Sequence, residues 1–516
     1  MCVLTALCLT PLPTYNTGLA TKPFQYQMSV EKMQMREMFP GRRIRAAASR
    51  HYINVMDHNL MRKLKQKVRH LTCMTPVIFI IFISLILMLV LWTDRKNEVT
   101  VPRPLPAKCA RKHVPQEQKV PFVEVIGTKT LLLSAYMEHR RGKQVRVIAV
   151  VLRNETPAYR CQFCCNDKLH TSEGVSEIHS DHFGFAYGTA DIMCPIPSHC
   201  ETPSHVAVSN VATNYEDLRH NLFLEVKNQK VESVSLTYNF TTCISTMFNF
   251  TNVLQMVQSL EMMRLMGVDR VVVYKSSCSP ETQRVLDYYT KKGLIEVIPW
   301  TIARYLKPSQ GWLPSHGPGD LHYYGQIAAL TDCLYRYMYQ TRYVALQDID
   351  ELILPQSVNS WFELLPLLEE KYGVDRCYMF ENNVFPNSVA LPLPASENLP
   401  SESLNWHKVP GVNILEHLHH EPIIRQTQYN NFKIIVNPRA VYRPTVHGLL
   451  DSEKGCSWID RNIARMQHTR PAAQQKLKPE QLIFDNRLLS YSARLTSAVN
   501  TVLTETEFLQ NQDESS

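Results

Sequence analysis

Apolar residues follow two different rhythms along the chain. Between 121 and 240 they come in short β-type runs, Thr130–Leu133, Val145–Leu152, His205–Val211, Leu222–Val226 and Val231–Leu236, separated by turn-forming residues. Such runs read as strands. Cys161, Cys164, Cys165, Cys194 and Cys200 fall in the same stretch, so the pattern predicts a small β-rich subdomain stapled by disulfides. A zinc knuckle built on Cys161-x-x-Cys164 with Cys194 and Cys200 is the alternative use of these thiols.

From about 241 strand and helix alternate. Cys243–Phe248 reads as a strand. Val253–Met266 carries apolar residues at helical spacing and stops at Gly267. Arg270–Tyr274 is an apolar strand. The next helix has Ser279 as N-cap, Pro280 in its first turn and Gly293 after its end, each the residue type favoured at that place. Leu294–Ile298 is a strand, a helix covers about 322–339, and Tyr343–Leu346 is a further strand. Alternation of this kind predicts an α/β domain with a mostly parallel sheet and ligands at the carboxyl ends of its strands.

One segment is apolar without period. Leu71–Trp92 contains no charged residue; as a helix it would be about 33 Å long, enough to span a bilayer core of roughly 30 Å. Arg62, Lys63, Lys65, Lys67 and Arg69 precede it, so the N-terminus is expected in the cytosol and the remainder in the lumen. The net charge of +8 belongs to this topology: residues 1–70 hold twelve Lys/Arg against three Asp/Glu. With the excess confined to one tail, a nucleic-acid partner is not expected. Eleven cysteines follow the span. In an oxidising lumen most would pair, and an odd count leaves at least one free or available for a disulfide-linked homodimer. Asn154, Asn239 and Asn249 head Asn-x-Ser/Thr sequons on the same side.

Candidate chemistry sits at the end of the Tyr343 strand, which runs into Asp348-Ile349-Asp350-Glu351. Residues two apart on a strand share a face, so Asp348 and Asp350 can converge while Ile349 anchors in the core. Paired carboxylates suit Mg²⁺ or Mn²⁺, which take a few protein oxygens and complete their shell with phosphates and water. No glycine-rich phosphate loop occurs in the chain. A metal bridging a diphosphate leaving group is therefore the expected solution, and a nucleotide-sugar transferase the expected class.

Several stretches together resemble glycosyltransferase family 92: Glu261–Tyr274, Leu294–Trp300, Gly325–Leu334, Asp348–Ile353, Lys433–His447 and Gln467–Arg470. The resemblance implies a GT-A-type fold and an inverting, metal-dependent Golgi enzyme that moves galactose from UDP-galactose in a β1,4 linkage onto a glycan of a glycoprotein or glycolipid. It implies Asp350 and Asp348 as metal ligands with His447 as a third, Asp348 also on the nucleotide, His468 and Arg470 on the diphosphate, and Glu416 as the base; Glu381, which follows the strand Cys377–Phe380, is a second candidate for the base. A catalytically silent glycan-binding or chaperone protein on the same fold is the alternative. The expected organisation is a disordered basic tail (1–70), a transmembrane signal-anchor (71–92), a stem (93–120), a β-rich subdomain (121–240), a catalytic domain (241–480) and a C-terminal helix and tail (481–516).

Overall fold

The structure is a computed structural model that describes residues 122–213, 222–231 and 235–509. The expected cytoplasmic tail, membrane helix (71–92) and stem lie outside these residues. Among the described residues no helix is long and apolar enough to cross a membrane.

The first part is all β: β1 Val123–Glu124, β2 Leu131–Glu138, β3 Gln144–Leu152, β4 Tyr159–Cys165, β5 Lys168–Ile178, β6 Tyr187–Pro195, β7 His205–Asn210 and β8 Leu224–Lys227. Their order is β1-β2-β3-β6-β5-β4-β7-β8, and β8 also pairs with β2, which closes the sheet into a barrel. Strand β3 shows why its sequence is apolar throughout. Val145, Val147, Ala149 and Val151 fill the barrel, while Ile148 and Val150 pack outward into a second core shared with the helical part. A strand buried on both faces loses polar alternation. Disulfides Cys161–Cys194 and Cys165–Cys200 fasten the barrel. These bonds occupy Cys161, Cys194 and Cys200, three of the four thiols that a zinc knuckle would need, so that alternative is excluded.

The rest is mixed α/β. In chain order come β9 Tyr238–Met247, α1 Val253–Met266, β10 Arg270–Lys275, α2 Pro280–Lys291, β11 Ile295–Pro299, α3 Gln326–Tyr337, β12 Thr341–Gln347, β13 Glu351–Pro355, α4 Trp361–Tyr372, β14 Cys377–Phe380 and β15 Asn382–Pro386. Then follow β16 His419–His420, β17 Lys433–Val436, β18 Val441–Thr445, β19 Gly448–Ser452, β20 Cys456–Trp458, β21 Ala464–Arg470, β22 Ile483–Phe484 and α5 Ser492–Glu505. The central sheet has the order β11-β10-β9-β12-β17-β14-β20. Its first four strands are parallel, but β17 runs antiparallel to both β12 and β14. The sheet is therefore mixed: β17 alone is reversed, and the other six strands share one direction. No helix separates β17 from its neighbours in space, so the alternation carried no information about its direction.

Local chemistry explains the helix ends. The Ser279 hydroxyl accepts from the Thr282 N–H, and Pro280 occupies the first turn of α2. Helix α1 stops at Gly267, whose φ of 99° a side chain rarely tolerates; a Cβ there would also lie 2.5 Å from the Phe362 ring. Helix α3 is shorter than its apolar pattern suggests. Tyr323, Tyr324 and Gly325 have φ of 33°, 53° and 74°, so the helix cannot begin before Gln326. The disulfide Cys243–Cys333 fixes α3 to β9, and Cys377–Cys456 joins β14 to the edge strand β20.

Candidate active site

Asp348 and Asp350 lie in the turn between β12 and β13. This turn is closed from within: the Asp348 N–H donates to Glu351 Oε2 at 2.8 Å, and the Glu351 N–H to the Asp348 carbonyl at 3.2 Å. Ile349 is buried in the main core. The two aspartates share a face because the turn folds them onto it, not because of strand pleating. Both line one cavity of about 570 Å³, which also receives Lys433, His447, His468 and Arg470. A groove of similar size along α5 is lined by Thr, Ser and Asn side chains with Glu505 as its one carboxylate. It gathers no cluster of titratable groups.

Strand pairing delivers the partners. In the β13–β21 ladder Glu351 sits opposite His468. His468 Nε2 is 3.3 Å from Asp350 Oδ2 and its Nδ1 is 3.5 Å from Glu351 Oε1. Lys433 opens β17, beside the end of β12. Its Nζ donates to Asp348 Oδ2 at 2.8 Å and lies 3.3 Å from Glu351 Oε2. The Ser245 hydroxyl donates to Asp348 Oδ1 at 3.0 Å. Asp348 is thus held from two sides, whereas the Asp350 carboxylate meets His468 on one side and is 34% exposed.

The charges shift one another in opposite directions. Burial raises the Asp348 carboxyl, but Lys433 and the Ser245 hydroxyl outweigh it and hold the group below its ordinary value. For Glu351 burial dominates; with Asp348 and Asp350 nearby, its carboxyl is raised despite Lys433. Burial lowers the Lys433 ammonium, yet the two carboxylates more than reverse this and raise it. His468 is raised because Glu351 and Asp350 overcome its burial. For His447 burial, and then Lys433, outweigh Asp348 and push it down to about 4. Its Nδ1 is 2.9 Å from the Phe432 carbonyl. An imidazole kept neutral in this way donates from Nδ1 and leaves a lone pair on Nε2.

The two glutamates expected as bases are elsewhere. Glu381 is buried between β14 and β15 with Arg461 Nε 3.4 Å from its Oε1. Glu416 is exposed in a short 3₁₀ turn and accepts from Asn413 Nδ2 at 3.0 Å. Neither lines the cavity. Sequence reasoning gave no role to Lys433, Ser245 or the aromatic wall formed by Trp312 and Tyr323. The signal for Lys433 was a cation opening the apolar run Ile434–Val436; a buried charge of this kind requires a partner. The wall depends on the left-handed run at Tyr323 and Tyr324. That conformation is costly, and it is held in place by Phe248 stacked on Tyr324 at 3.9 Å and by Trp300 Nε1 donating to the Tyr324 carbonyl at 2.7 Å. Trp300 itself is buried, so it props the wall from behind and does not meet a ligand.

Residues 238–509 match the model of a family described as glycosyltransferase family 92. Beta-1,4-galactosyltransferase galt-1 of Caenorhabditis elegans is 22% identical over 250 residues, which cover 47% of this chain and 55% of that protein. Glycosyltransferase family 92 protein F13G3.3 of the same organism is 29% identical over 120 residues, 23% of each chain. The chain thus spans about half the length of the first relative and about a quarter of the second. Among solved structures, glucosyl-3-phosphoglycerate synthase from Mycobacterium tuberculosis in complex with Mn²⁺, UDP and glucosyl-3-phosphoglycerate aligns at 9% identity over 53% of this chain and 82% of that chain. Its TM-score is 0.20, too low for the overlay to support an argument.

Proposed function

The chain belongs to glycosyltransferase family 92, and from that premise we propose that it is a single-pass type II enzyme of the Golgi membrane with its catalytic part in the lumen. The reaction is transfer of a hexose, galactose from UDP-galactose, with inversion and a β1,4-type linkage, to a glycan of a glycoprotein or glycolipid. The observation that carries this reading is the placement of Asp348 and Asp350 in one cavity, each with about a third of its side chain exposed.

The donor set fits a cation such as Mn²⁺ or Mg²⁺. Asp350 has a partly exposed carboxylate, and His468 turns its Nε2 to within 3.3 Å of Asp350 Oδ2. Among the described residues no three His, Cys, Asp or Glu side chains form a metal cage. An ion of this class needs only one or two carboxylates beside a substrate diphosphate. Asp350 and His468 would hold it, with Asp348 alongside. Bound there, it would offset the charge that develops on the departing diphosphate.

The chain's own residues do the rest. Lys433 and Ser245 fix Asp348, so the carboxylate needs no reorganisation when the nucleotide enters. Arg470, exposed at the end of β21, offers a planar fork to phosphate oxygens. His447, expected as a third metal ligand, lines the cavity that Glu381 and Glu416 do not reach, and we assign it the role of base in their place. Its Nε2 takes the proton of the acceptor hydroxyl as that oxygen bonds to the anomeric carbon, and the bond from that carbon to the diphosphate breaks to release UDP. Attack opposite the leaving group inverts the configuration.

The test is UDP release by the purified full chain with UDP-galactose, UDP-glucose and UDP-N-acetylhexosamines, with and without Mn²⁺. UDP-galactose turnover that disappears on chelation is expected. Absence of turnover with every donor would leave the silent glycan-binding alternative. For the base, His447→Gln is expected to lower kcat by about 10²–10⁴ with the Kd for UDP unchanged.

A further inference from the structure

A row of aromatic rings leaves the cavity and continues across the surface. Trp312 and His447 line the cavity, with ring centroids 5.3 Å apart. From His447 the row passes to Phe432 at 6.2 Å, from Phe432 to Trp458 at 5.8 Å, and from Trp458 to Tyr429 at 4.7 Å. Trp312, Trp458 and Tyr429 belong to none of the hydrophobic cores among the described residues. Trp312, Phe432 and Trp458 are half-buried and Tyr429 is 59% exposed. Partly exposed aromatics joined in a line need an explanation that isolated ones do not.

Two further features narrow the occupant. The segment Gln426-Thr-Gln-Tyr429-Asn-Asn-Phe432 is uncharged and rich in amides, and Asn431 lines the cavity. A nucleic acid or an anionic membrane surface would call for cations along such a row. The row is also mounted on fixed elements. Trp458 stands on β20, whose Cys456 is bonded to Cys377 of β14. Phe432 directly precedes Lys433, and its carbonyl meets His447 Nδ1 at 2.9 Å. Aromatic faces with neutral amides beside them match a ring that has an apolar C–H face and a rim of hydroxyls.

We propose that this row binds the acceptor as a neutral oligosaccharide, with the sugar that receives the hexose against Trp312 and His447 and the following sugars on Phe432, Trp458 and Tyr429. This rests on the transferase reading for the identity of the inner end. Specificity would then depend on acceptor length as well as on the terminal sugar, because the outer rings meet only an extended glycan.

The test is direct binding to the detergent-solubilised full chain, using fluorescently labelled neutral glycans released from glycoproteins in one arm and from glycolipids in the other, with a free hexose as the short control. Trp458→Ala is expected to weaken glycan binding about tenfold or more, Tyr429→Ala less, and Trp458→Phe little. Hexose binding should not change in any of them. The arm that binds identifies the glycan's source. UDP binding with Mn²⁺ is measured in parallel, and wild-type values are expected in all three variants. Unchanged glycan affinity in both alanine variants overturns the row, as does binding in neither arm. Tyr429 is exposed enough that its truncation does not threaten folding, so an unfolded Trp458 variant would still leave that result decisive. Glycan binding that depends on Trp458 in a chain that fails to bind UDP would support the row and overturn the donor site instead.

Discussion

Two carboxylate clusters, one on α3 and one in the turn after β12, have been finished differently. Around Asp332 every acceptor is used: Ser134 donates at 2.5 Å, Tyr136 at 2.7 Å, Tyr274 at 2.6 Å and Arg336 at 2.8 Å. Burial alone would raise this carboxyl, and Arg336 with the hydroxyls holds it far down. Its partners come from the barrel, from β10 and from α3, so it joins three parts of the molecule. Around Asp348 and Asp350 the partners stop short of saturation, and each side chain keeps a face on the cavity. Charge density does not distinguish the two clusters. The second has acceptors left over, and only unused acceptors can meet a cation or a nucleotide.

Substitutions should separate these roles. Asp332→Ala leaves Arg336 facing an empty, buried site, and a loss of roughly 3–5 kcal/mol in unfolding free energy is expected, read by denaturant titration. UDP affinity of the folded fraction should not change. Asp350→Asn reverses that outcome: turnover is expected to fall about 10²–10³-fold while thermal unfolding stays put, because the group is partly exposed and meets His468 on one side. Should Asp350→Asn instead unfold the chain, the contrast between the clusters would fail. Lys433→Met falls between. It frees Asp348 and strands the buried Glu351, so Mn²⁺ affinity should drop about 10–100-fold, as for loss of a residue that orients a ligand, together with a lower unfolding temperature.

The smallest effect concerns His322, stacked on Phe183 with ring centroids 4.2 Å apart. Burial lowers it from about 6.5 to about 3. The unfolded chain therefore binds a proton across that interval that the folded chain does not, and stability declines as pH falls from 6.5 toward 3. His322→Phe should make this acid limb shallower in unfolding temperature against pH, and an unaltered slope would show that other groups set it.

The sequence carried the local part of this arrangement. An apolar strand running into Asp348-Ile349-Asp350 marks both the strand and its polar tip, and Ser279-Pro280 marks a helix start without any tertiary information. What it did not carry came from distant pairing. Lys433 lies 85 residues from Asp348, and only the antiparallel setting of β17 brings them together. Closure of the barrel rests on β8 meeting β2 at Ala135–Val226 and Tyr136–Lys227, a contact too short to leave a pattern. Glu381 follows an apolar strand and Glu416 falls where the chain resembles the family, yet one is taken by Arg461 and the other faces solvent. The apolar residues before Gln326 favoured a longer helix, and the left-handed turn at Tyr323 and Tyr324 overrode them.

The closed barrel has a consequence for how this molecule meets its neighbours. Among the described residues its ring has one short flank, the two-residue β1 beside β2. The central sheet ends in β20, three residues long, and in β11, which carries Glu296 and finishes at Pro299. Short, charged and proline-ended margins are poor templates for a foreign strand. Densely crowded copies would thus have little to polymerise through along these margins, and inhibitors shaped as extended peptides would annex themselves poorly to them.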